Sequence, residues 1–266
     1  MNLNGQSILI TGASDGIGAA MARVLAKRGA KLTLMARSAD KLAAVASETG
    51  AQASPGDVTS DADRRRAVAT AVDRFGSVDV LINNAGAGMY VPAWRADMRQ
   101  VRELYELNVM APLELIQLVT PHMQRKRHGM IVNVASIAGK VALPWFTNYT
   151  SSKFAVCAMT DTIRMELKPW DIRCMTLCPG YVKTGFQDNS FAGRPPDKLW
   201  RLKQFAITAD QCAAACVRGM ERDARTVFVP RTGWLLQFGY VLIPGIIDHF
   251  LGRIYDNLGL DAGAAK

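Results

Sequence analysis

Ser7-Ile8-Leu9-Ile10-Thr11-Gly12-Ala13-Ser14-Asp15-Gly16-Ile17-Gly18 is the stretch that decides the fold. Ser7–Thr11 is a short, largely apolar run and reads as a buried β-strand. Ile17–Arg28 then carries helical periodicity and stops at Gly29. The glycines between them are spaced G-x-x-x-G-x-G, a variant of the more common G-x-G-x-x-G. Glycines between a first strand and a first helix allow a tight turn, close approach of backbone to a pyrophosphate, and close helix–strand packing. The helix amino terminus adds unpaired N–H groups and the positive end of the helix dipole. Gly12, Ser14, Asp15, Gly16, Ile17 and Gly18 are therefore candidate cofactor-binding residues.

Outward from this turn, apolar strands alternate with helical segments. Strands are expected at Lys31–Ala36, Val78–Asn83, Met130–Ala135, Ile172–Cys178 and Thr226–Val229. Helices are expected at Lys41–Glu48 and over about 60–75, 99–127, 150–167 and 209–222, the last opened by a Thr208/Gln211 capping box. Strands apolar on both faces belong to a parallel sheet covered by helices. That leaves a doubly wound sheet of the Rossmann type or an eight-fold barrel, and the early phosphate turn favours the former. With 266 residues and no linker or repeat, residues 1–266 read as one α/β domain.

The second expected strand ends Met35-Ala36-Arg37-Ser38. A carboxylate about 20 residues past the glycines would bind the ribose 2′-hydroxyl of NAD, whereas an arginine accommodates the 2′-phosphate of NADP. No acid stands there and Arg37 does, so NADP(H) is the expected cofactor.

Of the six tyrosines, only Tyr149 is followed four residues later by a lysine, Lys153. On a helix that spacing places both on one face. An ammonium group beside a phenol is expected to lower the tyrosine pKa from about 10 and to prepare Tyr149 for proton exchange with a substrate oxygen.

Taken in order, these motifs resemble those of the short-chain dehydrogenase/reductase family, in its compact form of about 250 residues. The resemblance runs from the glycine turn to at least Thr184. Asp57-Val58 is similar to the family's adenine contact, and Asn83-Asn84-Ala85-Gly86 to its N-N-A-G motif. Asn108, Ser136, Tyr149 and Lys153 match its catalytic tetrad, with twelve residues between serine and tyrosine. Pro179-Gly180-Tyr181-Val182-Lys183-Thr184 matches the stretch beside the nicotinamide. The resemblance implies hydride transfer between NADP(H) and a carbonyl or alcohol. Tyr149 would be the general acid or base, Ser136 would hold the substrate oxygen, Lys153 would lower the tyrosine pKa and bind the ribose, and Asn108 would hold a water on the proton path. It assigns Asp57, Val58, Asn84, Ala85, Gly86, Tyr149, Lys153, Pro179, Gly180, Val182 and Thr184 to cofactor binding. A cofactor-sensing or scaffold protein on the same fold is the alternative, although it would not need the tyrosine, lysine and serine together. A sugar-nucleotide epimerase or dehydratase can share the Tyr-x-x-x-Lys pair, but resembles a longer relative with different glycine spacing.

Large apolar residues cluster in segments that the family places around its substrate: Met89, Tyr90, Trp94, Leu143, Pro144, Trp145, Phe146, Tyr181, Phe186, Phe191 and Trp200. Residues 185–207, with Gly193, Pro195 and Pro196, read as a lid, and a bulky apolar substrate is expected. Packing of the lid on the core explains the aromatics equally well.

From Gly233 to Leu251 the only acid is Asp248, and no lysine or arginine occurs. Pro244-Gly245 interrupts the run, after which Ile246, Ile247, Phe250, Leu251, Ile254, Tyr255 and Leu258 form one helical stripe within the apolar segment 233–258. Such a helix can close the pocket, pack on a second subunit or lie on a membrane surface, with packing on protein expected first. A homo-oligomer, dimer or tetramer, is part of the expectation.

Composition narrows the rest. Hydrophobic residues at 49% and charged at 21% exclude disordered and collagenous chains. Five cysteines favour a reducing compartment, and the scattered His122, His128 and His249 give no metal-ligand spacing, so no metal is expected. The net charge of +9 permits anionic partners without choosing one. Arg64-Arg65-Arg66 and Arg125-Lys126-Arg127 read as solvated helix faces, and nucleic acid is not expected. Met1–Gly5 lacks a charged leader and an apolar signal core, so the expected location is cytoplasmic, with membrane association open through the C-terminal segment.

Overall fold

Seven strands, all parallel, form the central sheet of the computed structural model, which describes residues 1–193 and 206–256. In chain order these are β1 (Ser7–Thr11), β2 (Lys31–Ala36), β3 (Gln52–Pro55), β4 (Val80–Asn83), β5 (Gly129–Val134) and β6 (Ile172–Pro179). A two-stranded parallel pair follows, β7 (Val182–Lys183) and β8 (Ile207–Thr208), and then β9 (Thr226–Val229) closes the main sheet. The spatial order β3-β2-β1-β4-β5-β6-β9 reverses beside β1, where the chain steps from β2 and β3 on one side to β4 on the other. A crevice outside the carboxyl ends of β1 and β4 is the outcome of that reversal.

Alternating side chains bury opposite faces of the sheet. Ile8, Ile10, Val80, Ile82, Met130 and Val132 meet α1 (Gly16–Ala26), α2 (Ala39–Thr49) and, farther along the chain, the helix Ala209–Glu221. Leu9, Leu81, Ile131 and Cys174 face α3 (Asp61–Phe75) and the helices Ala111–Lys126 and Thr147–Glu166. The doubly wound sheet expected from the sequence is the observed fold.

The short strand β3 was not expected. It carries Gln52 and Pro55 on the sheet edge and buries only Ser54, so no apolar run announces it. The single helix expected over 99–127 is three pieces: α4 (Met98–Tyr105), a π-helical turn Glu106–Met110, and α5 (Ala111–Lys126). π-Turns are rare and cluster at functional sites, and this one carries Asn108. The next helix, α6, begins at Thr147 instead of 150, which puts Tyr149 inside its first turn. The last core helix, α7 (Ala209–Glu221), starts with the expected capping box, Thr208 accepting from the Gln211 N–H and Gln211 accepting from the Thr208 N–H.

One basic cluster differs from expectation. Arg64 is buried, donates to the Val58 carbonyl at 2.8 Å and pairs with Glu114, tying α3 to α5, while Arg65 and Arg66 remain exposed. A helix in a tightly packed layer turns one residue of a basic run inward, where only an acid can satisfy it.

A buried amide chain fastens α6 to the sheet. Asn83 of β4 donates to Asn133 Oδ1 at 2.8 Å, Asn133 of β5 donates to Thr160 Oγ1 at 2.9 Å, and Thr160 donates to the Val156 carbonyl at 2.6 Å. Neither Asn133 nor Thr160 was singled out from sequence.

The C-terminal apolar segment forms α8 (Gly233–Leu242) and α9 (Pro244–Asp256). Residues 194–205 of the expected lid, with Pro195, Pro196 and Trp200, lie outside the described residues, as do Leu258 and the side chains of Ile254 and Tyr255.

Asn133→Ala leaves Asn83 and Thr160 without their partner in a dry environment and is expected to cost about 2–4 kcal/mol. Chemical denaturation read by circular dichroism measures this. A loss below about 0.5 kcal/mol would mean that the chain of amides does not hold α6 in place.

Candidate active site

The glycine turn is shaped by contacts that no side chain could share. Gly12 and Gly16 have φ of +63° and +55°, in the left-handed region. A Cβ on Gly18 would lie 2.3 Å from the Gly12 carbonyl oxygen and 2.6 Å from Asn84 Nδ2. The loop after β4 is laced to this turn. Asn84 Nδ2 donates to the carbonyls of Thr11 and Gly12 at 2.9 and 3.0 Å, and Thr11 Oγ1 accepts from the N–H groups of Asn84 and Ala85 at 3.0 Å each. Asp15 caps α1, accepting from the Gly16 N–H at 2.6 Å. Thr184 packs over Gly16, where a Cβ would meet its Cγ2 at 3.2 Å.

A cavity of about 530 Å³ opens directly beyond the turn. Its wall includes Gly12, Ser14, Asp15, Gly16 and Ile17 of the turn, Asn84, Ala85 and Gly86 of the next loop, and Pro179, Gly180, Val182 and Thr184 after β6. Ser136, Tyr149 and Lys153 line the same space. Gly18 supports the turn from behind. Arg37 is exposed and Asp57 half-buried at the ends of β2 and β3, 4.0 Å apart and not on the cavity wall, and Val58 is buried in the core below them.

Ser136 ends the extended segment after β5, caps a short turn by accepting from the Ala138 N–H at 3.1 Å, and donates to the Pro179 carbonyl at 3.5 Å, on the same cavity wall as Tyr149. Lys153, one turn after Tyr149, donates to the Val134 carbonyl at 3.0 Å, and its Nζ stands 5.8 Å from the Tyr149 ring centroid. Asn108 is buried in the π-turn. Its amide donates to the Ala87 carbonyl and to Ser152 Oγ at 3.0 and 3.1 Å, and its oxygen accepts from the Ala87 N–H at 3.0 Å. A Cβ on Gly86 would sit 3.0 Å from Asn108 Oδ1 and 3.4 Å from Lys153 Nζ, so the glycine keeps these two groups in reach of one another. The four residues that matched a tetrad are thus gathered at one place. Ser152 was missed from sequence, because a serine in mid-helix carries no signal until its partner is known.

The electrostatics depart from the expectation in one respect. Burial pushes the Tyr149 phenol up to about 12, and the nearby Ser136 hydroxyl only partly offsets it. Burial also brings the Lys153 ammonium down to about 8. The expected lowering of the tyrosine by the lysine is not observed, because removing the phenolate from water outweighs an ammonium that is already engaged by a backbone carbonyl.

The expected aromatics divide. Tyr90, Leu143, Phe146, Tyr181 and Phe186 line the cavity, with Tyr90 and Phe146 edge to face at 4.9 Å and Phe186 6.0 Å from Tyr149. Met89 and Phe191 pack in a satellite core with Val101 and Leu104. Trp94 and Pro144 are exposed and Trp145 is half-buried, none of them on the cavity wall. Leu236 of α8 and Leu251 of α9 complete the apolar side, in line with pocket closure as one of the roles open to the C-terminal segment, although Leu236 itself was not singled out.

The sequence pattern of the family described as short chain dehydrogenase matches residues 6–195. The chain belongs to the short-chain dehydrogenase/reductase family of oxidoreductases. Relatives include the ketoacyl reductase HetN of Nostoc sp., 36% identical over 85% of this chain and 79% of that protein. Another is the 11-beta-hydroxysteroid dehydrogenase-like 2 of Arabidopsis thaliana, 32% identical over 96% of this chain and 83% of that protein. Among solved structures, the chain is similar to a short chain dehydrogenase from Burkholderia cenocepacia in complex with NADP, with TM-score 0.80, 27% identity, and 94% and 99% of the two chains covered. It is similar also to the 3-ketoacyl-(acyl-carrier-protein) reductase of Brucella melitensis complexed with NADH, with TM-score 0.78, 28% identity, and 85% and 97% covered.

Because the Lys153 pKa is lower in the folded chain than the ordinary 10.5, the unfolded chain holds more protons between pH 8 and 10, and stability should rise with pH through that window. Above pH 10 the raised Tyr149 value acts in the opposite sense. Lys153→Met removes the penalty of a buried ammonium, about 3 kcal/mol at most, and is expected to raise the midpoint of thermal unfolding at pH 7 and to flatten the rise. A destabilised Lys153→Met protein at pH 7 would show that the ammonium is paid for by contacts stronger than its one backbone hydrogen bond.

Proposed function

We propose that this chain is an NADP(H)-dependent carbonyl reductase acting on bulky apolar ketones or aldehydes, with Tyr149 as general acid. The observation that carries the reading is that the buried Tyr149 shares one cavity wall with Ser136, Lys153 and the glycine turn, with Lys153 Nζ 5.8 Å from its ring centroid.

The turn fits a dinucleotide. Gly12 and Gly16 leave backbone bare where a pyrophosphate would approach, Gly18 lets the turn close behind them, and the amino terminus of α1 points its N–H groups there. Arg37, exposed at the end of β2 with no acid in its place, suits a 2′-phosphate. NADP(H), when bound, supplies or accepts the hydride, and Lys153 and Thr184, which line the cavity, would hold its nicotinamide half.

The protein's own share is proton delivery and orientation. Tyr149, with a pKa near 12, stays protonated at neutral pH and donates its hydroxyl proton to an oxygen gaining negative charge. Ser136 donates a second hydrogen bond to that oxygen and holds it against the phenol. Lys153, when charged, stabilises the phenolate left behind, and Asn108 holds the loop at Ala87 so that Gly86 stays beside the lysine. A phenol poised as a donor suits reduction better than oxidation. Tyr90, Leu143, Phe146 and Phe186 offer the substrate an apolar wall, in keeping with relatives named for ketoacyl and hydroxysteroid chemistry.

Tyr149→Phe is expected to keep NADPH binding while lowering turnover about 100-fold or more. Reduction by the wild type should fall as pH rises past about 8, where Lys153 loses its charge, well before Tyr149 itself ionises. Near-normal turnover in Tyr149→Phe would remove the assignment. Arg37→Asp should move cofactor preference toward NADH, and an unchanged ratio of kcat/KM for the two cofactors would remove Arg37 as the selector.

A further inference from the structure

The helix α8 is inside out. On α8 the polar Gln237 is half-buried, while Phe238, Val241 and Leu242 are 57%, 65% and 60% exposed. Trp234 and Leu235 stand exposed beside them, and Ile243, Ile246 and Phe250 continue the patch across the bend into α9. Only Gly233 of α8 is buried. A helix that packs on its own domain does the reverse, and soluble monomers rarely display so continuous an apolar surface.

Three observations point to lipid as the occupant. No charged side chain occurs from Gly233 to Ile247, and α8 with α9 has the length and composition of a membrane segment, yet the two helices meet at 116°. No single helix among the described residues is long and apolar enough to cross a bilayer, so a bent pair of this kind can enter one leaflet and return. The boundaries of the apolar stretch are polar: Arg231 is exposed just before it, Asp248 and His249 follow it, and the whole chain carries +9. That charge complements an anionic headgroup layer. Finally, Leu236 and Leu251 of the same two helices line the cavity above Tyr149. The surface that would meet lipid is thus continuous with the wall of the site.

We propose that α8 and α9 form a monotopic anchor that enters one leaflet of an anionic bilayer and admits a membrane-dissolved carbonyl compound to the cavity between Leu236 and Leu251. The anchor stands on the helices alone; the substrate half rests on the reductase reading above.

The test is flotation of the full-length protein with vesicles made of equal parts phosphatidylcholine and phosphatidylglycerol, and with phosphatidylcholine alone. The comparison is the triple variant Phe238→Ser, Val241→Ser and Leu242→Ser, whose changed side chains are exposed and off the cavity wall. The wild type is expected to float with the anionic vesicles, more weakly with the neutral ones, and the variant to partition at least about 10-fold less with an unchanged melting temperature. A wild type that stays in solution with both kinds of vesicle overturns the anchor. So does a protein that sediments as a dimer, fails to float and becomes monomeric in the variant, which would assign the patch to a second copy. For the substrate half, NADPH oxidation with methyl nonyl ketone dissolved in the anionic vesicles should fall at least about 10-fold in the variant, while that with water-soluble methyl ethyl ketone stays the same. Equal rates of wild type and variant with the vesicle-borne ketone overturn delivery through the bilayer. Flotation without turnover of either ketone supports the anchor and overturns the reductase reading alone.

Discussion

Everything at the site depends on how closely two loops approach at the reversal of the sheet. Gly18 lets α1 come down onto the Gly12 carbonyl, and Asn84 spans the gap with hydrogen bonds to Thr11 and Gly12. The approach fixes where β1 and β4 end relative to each other. It thereby fixes the amino terminus of α1 on one side of the cavity and Asn84, Ala85 and Gly86 on the other. A methyl group at Gly18 would strike backbone, which cannot swing aside as a side chain can. From that junction a second tie runs through Ala87 to Asn108 and Ser152, and a third through Asn83 and Asn133 to Thr160. Both end on α6, the helix that presents Tyr149 and Lys153.

The price of this arrangement is two ionisable groups held away from water. The phenol of Tyr149 and the ammonium of Lys153 are displaced in opposite directions, each toward its neutral form. A core chosen for stability alone would hold neither. Their displacement leaves a protonated phenol at neutral pH beside a lysine whose charge is lost within the range where an enzyme works, the pattern by which strained pKa values mark sites of proton transfer.

Much of this was legible in the sequence, for identifiable reasons. The buried central strands announced themselves because both faces are apolar, and the glycine turn because its residues do something no others can. The edge strand β3 gave no signal, since half of a polar edge looks like a loop. The tetrad could be matched by spacing, but the π-turn that aims Asn108 inward could not, because helical periodicity is blind to one extra residue in a turn. Arg64 misled for a related reason: three arginines in a row look alike until the packing of α3 on α5 selects one. The direction of the Tyr149 shift also escaped, because spacing reports neighbours and not depth. The reach of α8 and α9 back to the cavity was legible only as one of three roles, because the pattern of an apolar helix does not say what covers it, and Leu236 lies outside the stripe that was read.

The most direct test of the central claim, that the gathered tyrosine, serine and lysine make the glycine-lined cavity a site of carbonyl reduction, is NADPH oxidation across a series of ketones and aldehydes from small and polar to large and lipophilic. The account predicts turnover with NADPH that improves as the carbonyl compound grows more apolar and fills the space between Tyr90, Phe146 and Phe186. Tight NADPH binding with no turnover anywhere in the series would contradict it, and would make the chain a binder of the cofactor on an enzyme's fold.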